Sequence, residues 1–332
     1  LSEHEGVLRV ATTVGQWARW WMEDPEPMTS QLVTLVRSMN VETQEQILIE
    51  AGRVGNIAPG ERIWSARFDG DRAYIVTFEQ IDPLWVIDVS DETSPIILGE
   101  LEVPGVSTYI HPLSRDHLLT IGLSPGNEDG TGLDWSGTQI SLFNITDPTA
   151  PSRDAALRLS PVNDNERGWV WSQSEATYES KAFQYWAPKE LLAIPLSTYR
   201  YLDYEVDGRY YWSYDYVSKL ILVNVNETTG NLSVYGSVDH SDLYTQGENN
   251  RWWNEYNIRR SIFMGDYVYA ISSAGITATN LTTLQETARI QIPDDALPYS
   301  GVVYSDSQAE DGGEGSSGEE RGESEAPIAS SS

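Results

Sequence analysis

Hydrophobic and polar positions along this chain alternate in short bursts, not in the three-to-four spacing of helices. Residues 63–104 (IWSARFDGDRAYIVTFEQIDPLWVIDVSDETSPIILGELEVP) break into runs of five to seven β-branched and aromatic residues, cut at Gly70-Asp71, at Asp82-Pro83 and between Ser90 and Pro95. Such runs predict half-buried strands, and Gly, Asp and Pro provide the turns between them. Four strands in about forty residues make one propeller blade.

The pattern returns at 110–160, 182–238 and 261–292. In each copy a third strand ends on an Asx residue, Asp88, Asn144, Asn224 or Asn280, whose side chain can bond the backbone two residues on and start a turn. Residues 7–13 and 31–54 supply a further set of strand-like runs around an irregular insert at 15–30. The predicted fold is an all-β propeller of about five four-stranded units, near 7–60, 61–105, 106–160, 161–240 and 255–293, within a domain spanning 1–304. A closed ring and a partial propeller with exposed edge strands both satisfy this pattern. The Asx positions lie 56, 80 and 56 residues apart, which implies loops inserted into two blades. The inserts are 123–137, 161–180, 199–217 and 239–257, and such insertions collect on one face of a propeller and carry function. From 305 to 332 the chain turns to Gly, Ser and Glu without aromatics, which predicts an acidic disordered tail.

Composition narrows the function. With 50 acidic against 21 basic residues, the net charge of −29 would repel a phosphate backbone, so nucleic acid is excluded as a partner. Lysine occurs only at 181, 189 and 219, and a surface of carboxylate and arginine suits a salty medium that screens self-repulsion. No run approaches the roughly 18 apolar residues of a membrane span. Without cysteine there is neither a disulfide framework nor a thiolate metal site. The chain opens on Leu1 with no signal-peptide pattern, as expected of a processed or excised piece.

Several linked blocks carry a resemblance: LRVATT at 8–13, APGERIWSARFDGDRAYIVTFEQIDPLWVIDVSD at 58–91, LGELEVPGVSTYIHPL at 98–113, ISLFNITDP at 140–148, and RRSIFMGDYVYAIS with GITATNLTTLQ toward the end. Over most of 7–293 the chain resembles the secreted or surface-associated β-propeller-domain family of prokaryotes. The resemblance implies an exported propeller, the C-terminal part of a longer chain whose upstream segment or anchor is missing here. No reaction and no catalytic residues come with it.

Residues 169–216 and the next insert are rich in aromatics, among them Trp169, Trp171, Trp186, Tyr210, Tyr211, Trp212, Trp252 and Trp253. Flat rings with polar tips stack on sugars or apolar partners at low entropy cost, so these residues are the candidate face for a surface glycan or protein partner. The same rings can instead pack between blades or staple the inserts down. Asn127, Asp129 and Asp134, with Glu128, lie in a Gly-rich loop and are candidate calcium ligands, although the twelve-residue calcium-loop signature is incomplete. Sequons at Asn144, Asn226, Asn231 and Asn280 are candidate glycosylation sites. His4, His111, His117 and His240 show no zinc spacing, and no nucleophile elbow or phosphate loop occurs. Arg62, Arg67, Arg72, Arg259 and Arg260 flank strand starts and read as partners of carboxylates between blades. The residues thus favour a non-enzymatic extracellular recognition or scaffold module. The alternative is an exported hydrolase acting on polysaccharide or peptide, with carboxylates or His111 and His240 in the propeller funnel.

Overall fold

The alternating runs become antiparallel strands, and each group of four folds back on itself as a meander. A computed structural model describes residues 1–15, 21, 28–78, 82–160, 169–206, 209–243 and 257–292. These belong to one compact unit, residues 1–298. The tail predicted at 305–332 lies outside the described residues.

Five sheets follow in chain order. The first holds β1 (Ser2–His4), β2 (Val7–Val14), β3 (Thr29–Met39) and β4 (Gln46–Ile57), and the second β5 (Arg62–Asp69), β6 (Arg72–Phe78), β7 (Asp82–Asp88) and β8 (Ile96–Val103). The third holds β9 (Val106–Pro112), β10 (His117–Pro125), β11 (Leu133–Asn144) and β12 (Ser152–Arg158). In the fourth the first strand is split into β13 (Trp169–Gln173) and β14 (Gln184–Trp186), both paired to β15 (Leu191–Val206), followed by β16 (Arg209–Asn226) and β17 (Asn231–Asp239). The fifth is β18 (Ile258–Met264), β19 (Tyr267–Ser272), β20 (Gly275–Asn280) and β21 (Glu286–Gln291). Among the described residues no helix is long and apolar enough to cross a membrane.

The third-strand turns form as the Asx positions predict, with Asp88, Asn144 and Asn280 accepting from backbone N–H groups of the turn. In the fourth sheet the turn residue is Asn226, not Asn224: Asn224 is still in the ladder opposite Leu191, and the strand runs two residues further. The first sheet has the same device at Asn40.

Both faces of the middle strands are apolar, so each sheet is buried by its neighbours. In the third sheet Leu118 and Phe143 pack toward the second, while Leu119 and Leu142 pack toward the fourth. Leu32 meets Ile75 and Ile87 at the first junction, and Ala193 and Leu222 meet Val268 and Ala270 at the last. Each fully buried aliphatic side chain contributes about 1.5–3 kcal/mol, so the junctions, more than the turns, hold the sheets in order. Among the described residues no apolar cluster joins the first sheet to the fifth.

One local rule recurs at the junctions. Register slips between Thr34 and Leu35, Val86 and Ile87, Leu142 and Phe143, Leu222 and Val223, and Ala278 and Thr279, which places a bulge at this point of every fourth strand, with a second in β4 between Ser30 and Leu32. The residue paired beside the bulge is Gly52, Gly99, Ala155, Gly236 and Ala288 in turn. A methyl at Gly52 or Gly99 would lie 2.6 Å from a carbonyl oxygen, of Glu92 or Pro148, in the next sheet's third turn. That turn can therefore seat only on bare backbone. The third sheet departs from the rule with Ala155 next to the bulged Asp154, and its junction with the fourth sheet is open on this side.

Gly99→Ala is expected to lower unfolding free energy by about 1–3 kcal/mol through overpacking, and Ala155→Gly by no more than about 1 kcal/mol. Urea denaturation of the two variants checks this; equal effects would contradict the seating role of Gly99.

Candidate functional site

β15 and β16 are 16 and 18 residues long, and they remain paired without interruption from Leu191 opposite Asn224 to Val206 opposite Arg209. β13 accompanies β15 only as far as Tyr201, so from Leu202 to Val206 the two strands continue as a ribbon that no third strand joins among the described residues. Register aligns its aromatic positions in rows: Trp171, Tyr199 and Tyr216 form one, Trp169, Tyr201 and Tyr214 the next, and beyond them Trp212 stands opposite Asp203 and Tyr210 opposite Glu205.

At the root of the ribbon, the rings of Tyr199 and Tyr216 lie 4.8 Å apart, and Tyr216 is buried against Leu243 and Ala274. This pair anchors the ribbon to the fifth sheet's side. Trp171, in the same row, is 42% exposed, and Tyr178 nearby is 77% exposed. Trp186 belongs elsewhere, half-buried with its ring 5.3 Å from Phe263 beside the core between the fourth and fifth sheets. The side chains of Trp169, Tyr210, Tyr211 and Trp212, and the whole of Trp252 and Trp253, lie outside the described residues.

The ribbon leaves the sheet at the end where long connections gather. Meander topology places every second-to-third turn and every sheet-to-sheet link at one end, and the short first-to-second and third-to-fourth turns at the other. Cross-sheet bonds keep the ends level. Arg9 and Arg72 donate to the Gly70 and Arg115 carbonyls in the next sheet's first turn, while at the opposite end Thr13 and Ser218 accept from the Ile63 and Ile258 N–H groups. The insert at 123–137, the extension of β15 and β16, and the described ends of the following links at Ser160 and His240 thus share one end.

Between β13 and β14 two short turns of 3-10 helix, Glu175–Thr177 and Ser180–Ala182, wedge into the neighbouring sheets. Phe183 is buried with its ring 5.1 Å from Tyr109 and 5.4 Å from His111, and burial, with the charge of Arg67, pushes the His111 imidazole below its ordinary value. Glu175 accepts two bonds from Arg259, at 2.9 and 3.1 Å, and one from Arg260 at 2.7 Å. Burial raises its pKa, but the arginine bonds outweigh burial and hold the carboxyl below the usual range.

His240 is fully buried where the fourth sheet passes to the fifth. Its Nδ1 lies 3.0 Å from Ser272 Oγ and its Nε2 2.8 Å from Thr277 Oγ1. Both ring nitrogens are thereby used in fastening β19 and β20 to the link. Desolvation is the main cause that pulls its pKa from 6.5 to about 4, with Arg289 adding to it. His111 and His240 therefore occupy separate junctions, each in a packing role.

The open junction beside Ala155 forms a cleft of about 490 Å³ at the short-turn end, lined by His117, Asn144, Asp154, Glu227, Thr229 and Gly230. His117 Nδ1 is 3.4 Å from Glu227 Oε2, and its Nε2 is 3.9 Å from Asp154 Oδ2. The carboxylates flank different nitrogens of the ring, so they do not converge on one metal position. Among the described residues no group of three or more His, Asp or Glu side chains is placed to hold a metal ion.

The proposed calcium ligands are each occupied within the chain. Asp129 accepts from the Thr131 N–H and hydroxyl, Asn127 donates to Thr131 Oγ1, and Asp134 accepts from Ser136 and, at 2.7 Å, from Arg158. Of the sequon residues, Asn144, Asn226 and Asn280 direct their side-chain oxygens into turns, and Asn231 is exposed at the start of β17.

The model of one family, described as beta propeller domain, matches residues 1–284. The chain belongs to the beta propeller domain family. The chain is 34% identical over 189 residues to an uncharacterized protein of Methanocaldococcus jannaschii, a match covering 56% of this chain and 27% of that protein. It is also 36% identical over 151 residues to an uncharacterized protein of Archaeoglobus fulgidus, covering 46% of this chain and 20% of the relative. The match spans roughly a quarter or less of each relative's length. Similar solved structures include a Myceliophteria thermophila beta-propeller domain (10% identity, TM-score 0.36, 80% of this chain and 70% of that one). Another is a putative dipeptidyl aminopeptidase IV from Bacteroides ovatus (12% identity, TM-score 0.40, 86% and 38%).

The buried His240 gives this propeller a pH signature. Its folded pKa of about 4 lies below the unfolded 6.5, so the unfolded state takes up the proton first. The stabilisation is complete above about pH 6.5 and is lost progressively down to about pH 4, on the order of 3 kcal/mol in all. Urea unfolding between those pH values is expected to show this slope in the native chain and a shallower one in His240→Gln; identical slopes would contradict it.

Proposed function

We propose that this propeller is a non-enzymatic recognition and scaffold module of the cell exterior, which holds a glycan or protein partner against the aromatic ribbon of its fourth blade. The observation that carries this reading is the ribbon itself: β15 and β16 stay in register well past the last pairing with β13, and aromatic residues recur at its paired positions. A strand pair extended beyond its sheet adds nothing to the core between sheets, whereas aromatic positions at alternate register points suit stacking on sugar rings or apolar side chains. The exposed Trp171 and Tyr178 extend the same surface toward the sheet. An exterior location is supported by the strongly acidic composition and by the resemblance to exported propellers. Surface accessibility on intact cells, read by protease shaving, tests the location directly.

Binding to an array of glycans and surface polymers, with a product assay on the same polymers, tests the function. Trp171→Ala combined with Trp212→Ala is expected to weaken binding by at least about tenfold while the thermal melt is kept, as loss of stacking anchors requires. Unchanged binding in that variant would overturn the reading, and release of product would replace it with the exported hydrolase.

A further inference from the structure

The arginines at strand starts divide by what they hold. Arg259 and Arg260 bond Glu175, and Arg72 bonds the carbonyls of Arg115 and Ile145. Arg62, the first residue of β5, takes another course: its guanidinium lies over the Trp64 ring, 5.2 Å from the centroid. Arg62 is exposed, and among the described residues no carboxylate pairs with it, in a chain with 50 acidic against 21 basic residues.

The local sequence explains this placement. Register slips between Ile63 and Ser65, so Trp64 is the extra residue of a bulge. Ile63 packs toward the first sheet, whereas Trp64 and Phe78, the register partner of Arg62, pack at the junction of the second sheet with the third. Arg62 and Trp64 therefore share one side of β5. Glu61, next in sequence, accepts from Thr77 Oγ1 at the Ile63 register position, on the other side. The Trp64 ring meets Phe78 edge-on at 5.5 Å and, from the third sheet, Trp135 at 6.1 Å. Trp135 lies near the start of β11, where the insert at 123–137 rejoins the sheet, and it is 59% exposed. Its neighbour Asp134 is taken by Arg158 and Ser136 and so does not oppose a negative ligand. Both sheets that frame this junction lie inside the chain, each with a neighbouring sheet on either side.

We propose that Arg62, Trp64 and Trp135 form a second binding platform, separate from the ribbon, for a sugar ring that carries a carboxylate, as in a uronic acid polysaccharide. The open Trp135 ring offers a stacking surface. Held over Trp64, the Arg62 guanidinium keeps its N–H donors for a carboxylate, which its planar fork can grip with two parallel bonds. Both groups adjoin Trp64, so one ring or two linked rings reach both. A uronate joins the two features in one unit, an apolar C–H face and a carboxylate at its edge. Asp and Glu side chains of a protein partner bring the carboxylate without the flat face. The net charge of the chain acts on an anionic polymer through a screening length of about 8 Å at physiological salt, whereas the Arg62 pair forms at contact.

Oligomers of galacturonic and of glucuronic acid, each beside its carboxyl-reduced neutral form, are the probes, titrated into the full chain by calorimetry at about 150 mM salt. At least one acidic oligomer is expected to bind at least about tenfold more tightly than its reduced form. Arg62→Gln should abolish that preference, and Trp135→Ala should weaken binding of the acidic form by at least about tenfold. Both side chains are exposed, so melting curves should be kept. Neither substitution touches the ribbon, so the two surfaces are tested apart. Equal affinity for the acidic and reduced forms, or no binding of either, overturns the proposal. A preference that survives Arg62→Gln, or unchanged binding in Trp135→Ala, overturns it as well.

Discussion

A sheet whose middle strands are apolar on both faces cannot stand alone in water; it must be covered twice. That constraint orders the rest of this molecule. Ile75, Leu119, Ile194 and Val268 are all fully buried in apolar clusters that join adjacent sheets. Stability therefore resides in the junctions, and the chain behaves as a linear stack of nearest-neighbour terms. The fastenings between sheets follow the same order: the bare backbone of Gly52 and Gly99 seats the next turn, Glu175 clamps Arg259 and Arg260, and the His240 ring bonds Ser272 and Thr277.

The same order extends to the connections. Side chains that hold junctions lie in the sheets and at the short-turn end, where backbone carbonyls and small residues fix the spacing. At the other end the described parts of the links are fastened to the sheets as well, as His240 is to Ser272 and Thr277. The Tyr199 and Tyr216 pair illustrates the boundary, with Tyr216 buried as part of the fold and Trp171 in the same row open to solvent. Residues can then change along the ribbon without disturbing the sheets, which is the usual relation of loops to a rigid scaffold.

The architecture was legible because a strand writes its period into the sequence and an Asx turn writes its start. Asn224 misled for the same reason: it is the right residue type at nearly the right place, and only pairing with Leu191 shows that the strand continues to Asn226. The glycine rule left a visible signal, since Gly52, Gly99 and Gly236 each sit in a fourth strand otherwise rich in side chains, but its meaning lies in the neighbouring turn. The site was less accessible. His117 meets Glu227 across 110 residues of chain, and Asp134 pairs with Arg158 from another strand, so neither arrangement is written in local spacing. Periodicity reports which side of a strand is wet; it does not report which distant partner dries the other.

If fold and recognition are separable in this way, the outer ribbon can be removed cleanly. Replacing residues 203–212 by a two-residue Asn-Gly turn that joins Leu202 to Ser213, which already face each other across the ladder, leaves every junction intact. Denaturation of this shortened chain beside its binding to the ligand of the native one is the most direct test. The expected result is an unchanged unfolding midpoint with binding lost. A lowered midpoint would make the ribbon part of the structural frame, and retained binding would move recognition elsewhere on the propeller.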